Sequence, residues 1–211
     1  MYKKNQKWLL AIPKLIAAAA TDFNLQSLKP LAATNHTYLL SGQQQGTEII
    51  LKLGIDHEGL RQEAAALEYF AKKAARIIAQ ADGLLLLERL IPGSSLKNHF
   101  PAKDLEAATI AAELISKLPK VTSPQKYHFP HLRDWLATLD KNWKISKPYL
   151  QKARKLRDQL LVTSNYERLL HGDFHHENIL LHHQDWLIID PKGVIGDPIY
   201  EAATSHQKPD N

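Results

Sequence analysis

Cysteine is absent from the 211-residue chain. Disulfides, thiol nucleophiles and thiolate-held zinc or iron–sulfur centres are therefore excluded. Long hydrophobic runs are lacking as well. No stretch reaches the roughly 18 consecutive apolar residues of a spanning helix, so no membrane partner is expected. Charge of one sign is not in large excess either, since 27 Lys and Arg stand against 22 Asp and Glu, a net +5. With 44% hydrophobic and 23% charged residues, the composition is that of an ordinary globular chain, which rules out a disordered polymer, a collagen-like fibre and a long coiled coil. The length suits one domain or two small lobes.

The charge is unevenly distributed. Between Asn165 and Ser205 seven acids face two bases, Arg168 and Lys192, a net −5 that leaves +10 for the remainder. A nucleic-acid binder concentrates its bases where its chemistry is. Here the chemically suggestive segment is acidic, so no nucleic-acid partner is expected.

Two readings fit the N-terminus. Met1–Lys7 is basic and Trp8–Ala20 largely apolar, which resembles a secretory signal, although Pro13 and Lys14 interrupt the run. The favoured alternative is an amphipathic helix with Trp8, Ile12, Leu15, Ile16 and Ala19 on one face. Thr34–Leu40 and Glu48–Leu53 then read as short strands around the polar turn Ser41–Gly46. Glu58–Ala81, rich in Ala, Leu and Lys, reads as one long helix. Leu84–Leu90 reads as a buried strand, and Ile91–Ser95 as a break. Asp104–Leu118, Leu132–Trp143 and Pro148–Leu161 look helical, with Pro119–Pro130 a loop. Two short apolar runs, Ile179–Leu181 and Trp186–Ile189, flank a turn near the end. The pattern predicts an α+β fold in two lobes, residues 1–90 and 91–211.

The strongest chemical signal is His171-Gly172-Asp173-Phe174-His175-His176-Glu177-Asn178, followed twelve residues after Asn178 by Asp190-Pro191-Lys192-Gly193. One carboxylate here can accept a proton from an attacking hydroxyl, while an amide oxygen and a second carboxylate can hold Mg2+, which prefers hard oxygen ligands. Two other readings attach to this stretch. It could be a turn beside a strand. Its neighbouring histidines, His171, His175, His176, His182 and His183, could bind a transition metal, although no H-E-x-x-H spacing is present.

The spacing H-x-D-x-x-x-x-N followed by a strand-end Asp is the catalytic-loop and metal-loop pattern of kinases. Its local wording resembles the aminoglycoside phosphotransferase family, nearest the branch of streptomycin 6-kinases and hydroxyurea-resistance kinases. The resemblance runs from about Thr34 to Ala203 and is most specific over Leu170–Glu201. It implies a protein-kinase-like fold, a small β-rich N-terminal lobe with one long helix and a mainly helical C-terminal lobe. It also implies ATP and Mg2+, with a small-molecule hydroxyl, aminoglycoside-like, as acceptor. Asp173 would be the base. His175, two residues on, would stand where protein kinases carry a Lys that approaches the γ-phosphate. Asn178 and Asp190 would hold Mg2+.

Such a kinase also needs a strand Lys and a helix carboxylate to hold it. Lys52 lies in the apolar run Ile49–Leu53. Glu63 lies on the apolar line of the following helix, three residues after Leu60 and four before Leu67, where a carboxylate wants a cationic partner. Leu84–Leu90 resembles the strand that leads into the hinge of these kinases, so the Glu88 and Leu90 backbones would meet the adenine edge. No G-x-G-x-x-G precedes Lys52, and the residues covering the phosphates stay unassigned. Members of the family continue past this point with further helices, whereas Asn211 follows Asp190 by only 21 residues. The expectation is a cytoplasmic phosphotransferase acting on an aminoglycoside such as streptomycin, with Glu177, Asp197 and Glu201 near the acceptor. A nucleotide-binding relic without turnover, a small-metabolite kinase and a His-rich metal-binding protein are the alternatives.

Overall fold

The computed structural model describes residues 2–99, 102–120, 127–164 and 167–204. The element order is α1 (Tyr2–Asp22), β1 (Leu25–Ala33), β2 (Thr37–Gln44), β3 (Thr47–Gly54), α2 (His57–Phe70), β4 (Ile77–Ala81), β5 (Leu84–Glu88), β6 (Pro92–Ser95), α3 (Leu96–His99), α4 (Asp104–Ser116), α5 (Leu132–Leu136), α6 (Lys147–Thr163), β7 (Arg168–Leu170), β8 (Ile179–His182), β9 (Asp185–Ile188), β10 (Val194–Gly196) and α7 (Ile199–Thr204). The class is α+β. The chain separates into two compact units, Met1–Ser94 with Leu180–Ile189, and Ser95–Ile179 with Asp190–Asn211.

The first unit is built on a five-stranded antiparallel sheet in the order β1-β2-β3-β5-β4. Alternation along β3 sends Ile49, Leu51 and Leu53 to one face, where they join Leu40, Leu84 and Leu86 and receive Trp8, Ile12 and Ala19 of α1. The amphipathic reading of the N-terminal segment holds with one correction: Leu15 is 39% exposed and lies off the packed stripe. Lys52 and its cross-strand neighbour Leu85 point to the other face, because side chains alternate along a strand.

Several expected boundaries move. The hairpin β2–β3 turns on two residues only, Gln45 (φ 50°) and Gly46 (φ 80°), a pair of left-handed conformations that matches the twist of tight hairpins. Ser41–Gln44 therefore belongs to β2 rather than to a loop. β1 was not expected. It is an edge strand, mostly exposed, with Lys29 and Pro30 blunting its free side. The long helix expected over Glu58–Ala81 stops at Phe70, and Ile77–Ala81 is strand β4. Ala71 reverses the chain with φ 49°, and the Ala75 amide then donates to the Ile188 carbonyl at 3.0 Å. Tertiary pairing here overrides the helix propensity of an Ala- and Lys-rich stretch. Ala74 and Ile77 consequently lie outside the helix.

That same pairing draws β8 and β9 into the first unit. They form a three-stranded sheet with β6 in the order β6-β8-β9, so the expected break at Ile91–Ser95 is partly a strand. The division is not a single cut after residue 90, since Leu180–Ile189 returns to the N-terminal residues. A second small core joins Ala75, Leu90 and Leu187, with Leu180 and Ile189 packed against it.

In the second unit α4 and α6 appear close to where the periodicity puts them. The helix expected over Leu132–Trp143 is α5 followed by a 3-10 turn, Ala137–Asp140, and the Trp143 indole N–H donates to the Thr138 carbonyl at 2.8 Å. β7 and β10 pair antiparallel, with Leu170 opposite Val194. Residues 121–126 of the Pro119–Pro130 loop and the polar tail His206–Asn211 lie outside the described residues.

Leu51 has no exposed surface and sits in the middle of the sheet. Leu51→Ala is expected to lower unfolding stability by about 2–5 kcal/mol, read as a shift in the urea midpoint at unchanged slope.

Candidate active site

In the first unit the Lys52 ammonium donates to both carboxylate oxygens of Glu63, at 2.8 and 2.7 Å. Both residues are buried, at 8% and 5% exposure. Buried charges survive only when paired and hydrogen-bonded. Helix α2 fixes the phase of this contact. The Asp56 side chain caps its start by accepting from the Gly59 amide at 3.0 Å, while Leu60, Leu67 and Phe70 bury the apolar line to which Glu63 belongs. The sequence places this pair correctly.

The segment after β5 is also ordered by specific bonds. The Glu88 carboxylate accepts from the Arg76 amide at 2.7 Å and lies 3.6 Å from the Arg76 guanidinium. Its side chain is thereby engaged within the fold. Arg89 N–H donates to the Glu48 carbonyl at 3.2 Å, and Ile91 N–H donates to His182 Nδ1 at 3.0 Å. Between them, the Leu90 N–H and C=O have no hydrogen-bond partner among the described residues.

In the second unit the loop after β7 is held from beneath. His171 is fully buried. Its carbonyl receives the amides of Lys192 at 2.6 Å and Gly193 at 3.2 Å, its Nδ1 accepts from the Asp173 amide at 3.2 Å, and its ring meets Phe174 edge-on at 5.6 Å. Gly172 adopts φ +81°, and a Cβ there would lie 2.8 Å from the Trp135 ring. Glycine satisfies both requirements. The Gly172 amide donates to Glu201 Oε1 at 3.1 Å.

Glu201 corrects an expectation. It is fully buried, so it is part of the loop's support and offers no carboxylate to an acceptor. Asp197 is likewise engaged, accepting from the Ile199 amide at 3.0 Å, and Glu177 pairs with Lys97 at 3.2 Å. The Gly172–Glu201 contact was not foreseen; its only trace in the sequence is an acid inside the otherwise apolar helix α7. Tyr200, next to it, has its hydroxyl pKa raised, first by burial and then by the carboxylates of Glu201 and Asp173.

The Asp173 carboxylate remains about one-third exposed, with His175 Nε2 3.8 Å away. Asn178 Nδ2 donates to the Asp173 carbonyl at 3.0 Å and meets His175 Nε2 at 3.2 Å. His175 is therefore turned toward Asn178, which differs from the reading that directs its ring at a γ-phosphate. With the amide nitrogen so occupied, the Asn178 oxygen is the atom left for a cation. Asp190 stands just past β9 in a left-handed conformation, φ 55°, and Lys192 Nζ lies 2.8 Å from its Oδ2. An amide oxygen and a carboxylate are hard donors of the kind Mg2+ selects, so these residues fit that ion.

The histidines do not assemble. Beyond His171 and His175, His182 accepts from the Ile91 amide and its ring lies 4.3 Å from that of His183, tilted by 51°. Among the described residues no three His, Asp or Glu side chains converge in a way that could hold an ion.

A β-rich unit with a Lys–Glu pair between strand and helix, and a unit bearing an H-G-D loop, belong to the protein-kinase-like class. Solved structures agree on the fold. An aminoglycoside phosphotransferase in ternary complex with ADP and hygromycin B matches at TM-score 0.66 and 16% identity, covering 92% of this chain and 75% of that one. A choline kinase from Streptococcus pneumoniae matches at TM-score 0.63 and 18% identity, covering 92% and 73%. The model of the aminoglycoside/hydroxyurea antibiotic resistance kinase family matches residues 25–211, and the chain belongs to that family. It is 32% identical over 143 residues to the streptomycin 3″-kinase of Klebsiella pneumoniae, covering 65% of this chain and 52% of that protein. It is 32% identical over 168 residues to the hydroxyurea phosphotransferase of Kitasatospora aureofaciens, covering 74% and 49%. The chain thus spans about half the length of the curated relatives it matches.

Removing one partner of the buried pair strands the other. Lys52→Met is expected to cost about 3–5 kcal/mol of stability, and adding Glu63→Leu to recover most of it, measured by urea denaturation of both variants.

Proposed function

We propose that this protein transfers the γ-phosphoryl group of ATP to a hydroxyl of an antibiotic-like small molecule, with an aminoglycoside such as streptomycin as the first acceptor to test. The observation that carries the reading is the H-G-D loop. Asp173 keeps an accessible carboxylate on a backbone tied down by His171, Gly193 and Glu201. The family and the names of the relatives support phosphoryl transfer. The ADP-bound neighbour supports ATP as donor. Streptomycin itself rests on one relative's name. A location in the cytoplasm, where ATP is abundant, goes with this reading.

The roles follow from the chemistry of the side chains. Asp173 orients the acceptor hydroxyl and takes its proton on a carboxylate oxygen. Lys52, held by Glu63, binds the α- and β-phosphates. The Leu90 N–H and C=O would read the adenine edge, while Glu88 contributes backbone only. Asn178 and Asp190 would hold Mg2+, and the contacts of the Asn178 amide nitrogen with the Asp173 carbonyl and His175 leave its oxygen for the ion. When bound, Mg2+ neutralises charge on the transferring group.

Asp173→Asn is expected to reduce transfer at least about 100-fold while leaving Mg·ATP affinity within experimental error. Asp190→Ala is expected to weaken Mg-dependent nucleotide binding. Calorimetry with Mg·ATP, followed by a coupled ADP-release assay over streptomycin, hygromycin B and hydroxyurea, tests both. Full activity in Asp173→Asn would refute the assignment of the base. Tight Mg·ATP binding with no acceptor turned over would favour the nucleotide-binding chain without turnover.

A further inference from the structure

Phosphoryl transfer needs positive charge beside the γ-phosphate, because negative charge is spread over its oxygens in the transition state. The position two residues after Asp173, where protein kinases carry a Lys, is His175 here. Its ring meets the Asn178 amide nitrogen at 3.2 Å. Lys52 is held by Glu63, and its proposed partners are the α- and β-phosphates. Neither residue supplies a cation to the γ-phosphate.

A lysine on the other side of the loop meets the need. Lys192 Nζ donates to Asp190 Oδ2 at 2.8 Å. Its backbone is fixed more firmly than its side chain. The Lys192 and Gly193 amides both donate to the His171 carbonyl, at 2.6 and 3.2 Å, two residues before Asp173. Pro191 and Gly193 on either side are buried, and Val194 pairs with Leu170. The backbone of Lys192 is thus tied to the segment that carries the base, and its ammonium to a proposed metal ligand. The four-carbon stem still lets that ammonium move. His171, Asp173, Asn178, Asp190 and Lys192 all belong to the second unit.

We propose, resting on the phosphoryl-transfer reading of the same site, that Lys192 is a further catalytic residue, whose ammonium holds Asp190 until Mg·ATP binds and then passes to the γ-phosphate. With a divalent ion on the Asp190 carboxylate, an ammonium on the same group is repelled. Phosphate oxygens bound to that ion are the acceptors that replace it, and Lys is an effective phosphate ligand as a point charge. In the step itself the acceptor oxygen bonds to the γ-phosphorus as the bond from that phosphorus to the β–γ bridging oxygen breaks. The bonding pair leaves with ADP, and the acceptor proton goes to Asp173. Lys192 stays protonated throughout and contributes charge alone. Lys97 also meets this loop, at Glu177, but Glu177 is not one of the proposed metal ligands, so no ion would displace Lys97 toward a phosphate.

The test is calorimetry of the 211-residue chain, Lys192→Met and Lys192→Arg, with Mg·ATP and Mg·ADP in separate titrations. Lys192→Met is expected to weaken Mg·ATP binding about tenfold or more while leaving Mg·ADP within about twofold, since only ATP carries the γ-phosphate. Lys192→Arg is expected to restore most of the Mg·ATP affinity. With an acceptor that is turned over, kcat of Lys192→Met is expected to fall at least about tenfold. The Lys192 side chain is 43% exposed, and retained Mg·ADP binding shows that the variant is folded. Equal losses for both nucleotides would reduce Lys192 to a support for Asp190 and overturn the proposal. So would unchanged affinity for both. Those outcomes leave the phosphotransferase reading standing. Failure of the unsubstituted chain to bind either nucleotide would instead refute that reading, and the proposal with it.

Discussion

Lys52 carries an ammonium group on a strand whose neighbours Leu51 and Leu53 are almost without exposed surface. An unpaired charge in that position would be expelled or neutralised. Glu63 is what allows it to stay, and much of the first unit follows from bringing the two together. β3 must run antiparallel beside β5 so that Lys52 projects toward α2. α2 must begin at its Asp56 cap for Glu63 to share a line with Leu60 and Leu67. The helix must then end early enough for Ala75 to reach Ile188. A polar contact of two side chains thus sets the phase of a strand and a helix together, a specificity that apolar packing alone enforces weakly.

The second unit meets a related difficulty by different means. Its loop has to present one carboxylate to solvent while its backbone polar groups enter the interior. Each is answered by a partner within the unit: the His171 carbonyl by two amides of the segment after Asp190, the Gly172 amide by Glu201, the Asp173 carbonyl by Asn178. The Lys192 and Gly193 bonds to His171 also tie the two chemically important segments to one another. Rigid support of this sort is what keeps a reactive group in a productive position without reorganisation.

Much of this was legible in the sequence wherever a pattern is local. The Lys52–Glu63 pair could be read because Glu63 keeps the helical interval to Leu60 and Leu67, and the loop because His171, Asp173 and Asn178 stand close together in the chain. Patterns that depend on distant partners were hidden. β1 shows no alternation because it is an exposed edge carrying Pro30. The end of α2 is decided by Ile188, more than a hundred residues away, against a run of good helix formers. Glu201 looked like one acid among several on a negative segment, and its burial follows from an amide 29 positions earlier. Charge counting treats such a group as surface, whereas hydrogen bonding makes it interior.

The return of Leu180–Ile189 to the first unit bears on how the chain is made. A ribosome delivers residues in order, and the first 94 residues lack β8 and β9, the strands that complete the sheet with β6 and the small core around Leu90 and Leu187. The first unit therefore cannot finish folding until Leu180–Ile189 has been synthesised, and the segment from Ser95 to Ile179 emerges while its predecessor is still incomplete. No single cut separates the units, so neither can be exchanged as one continuous piece by recombination. Asn178 and Asp190 bracket the excursion, which makes the arrival of the hairpin and the completion of the loop one event in the life of the nascent chain.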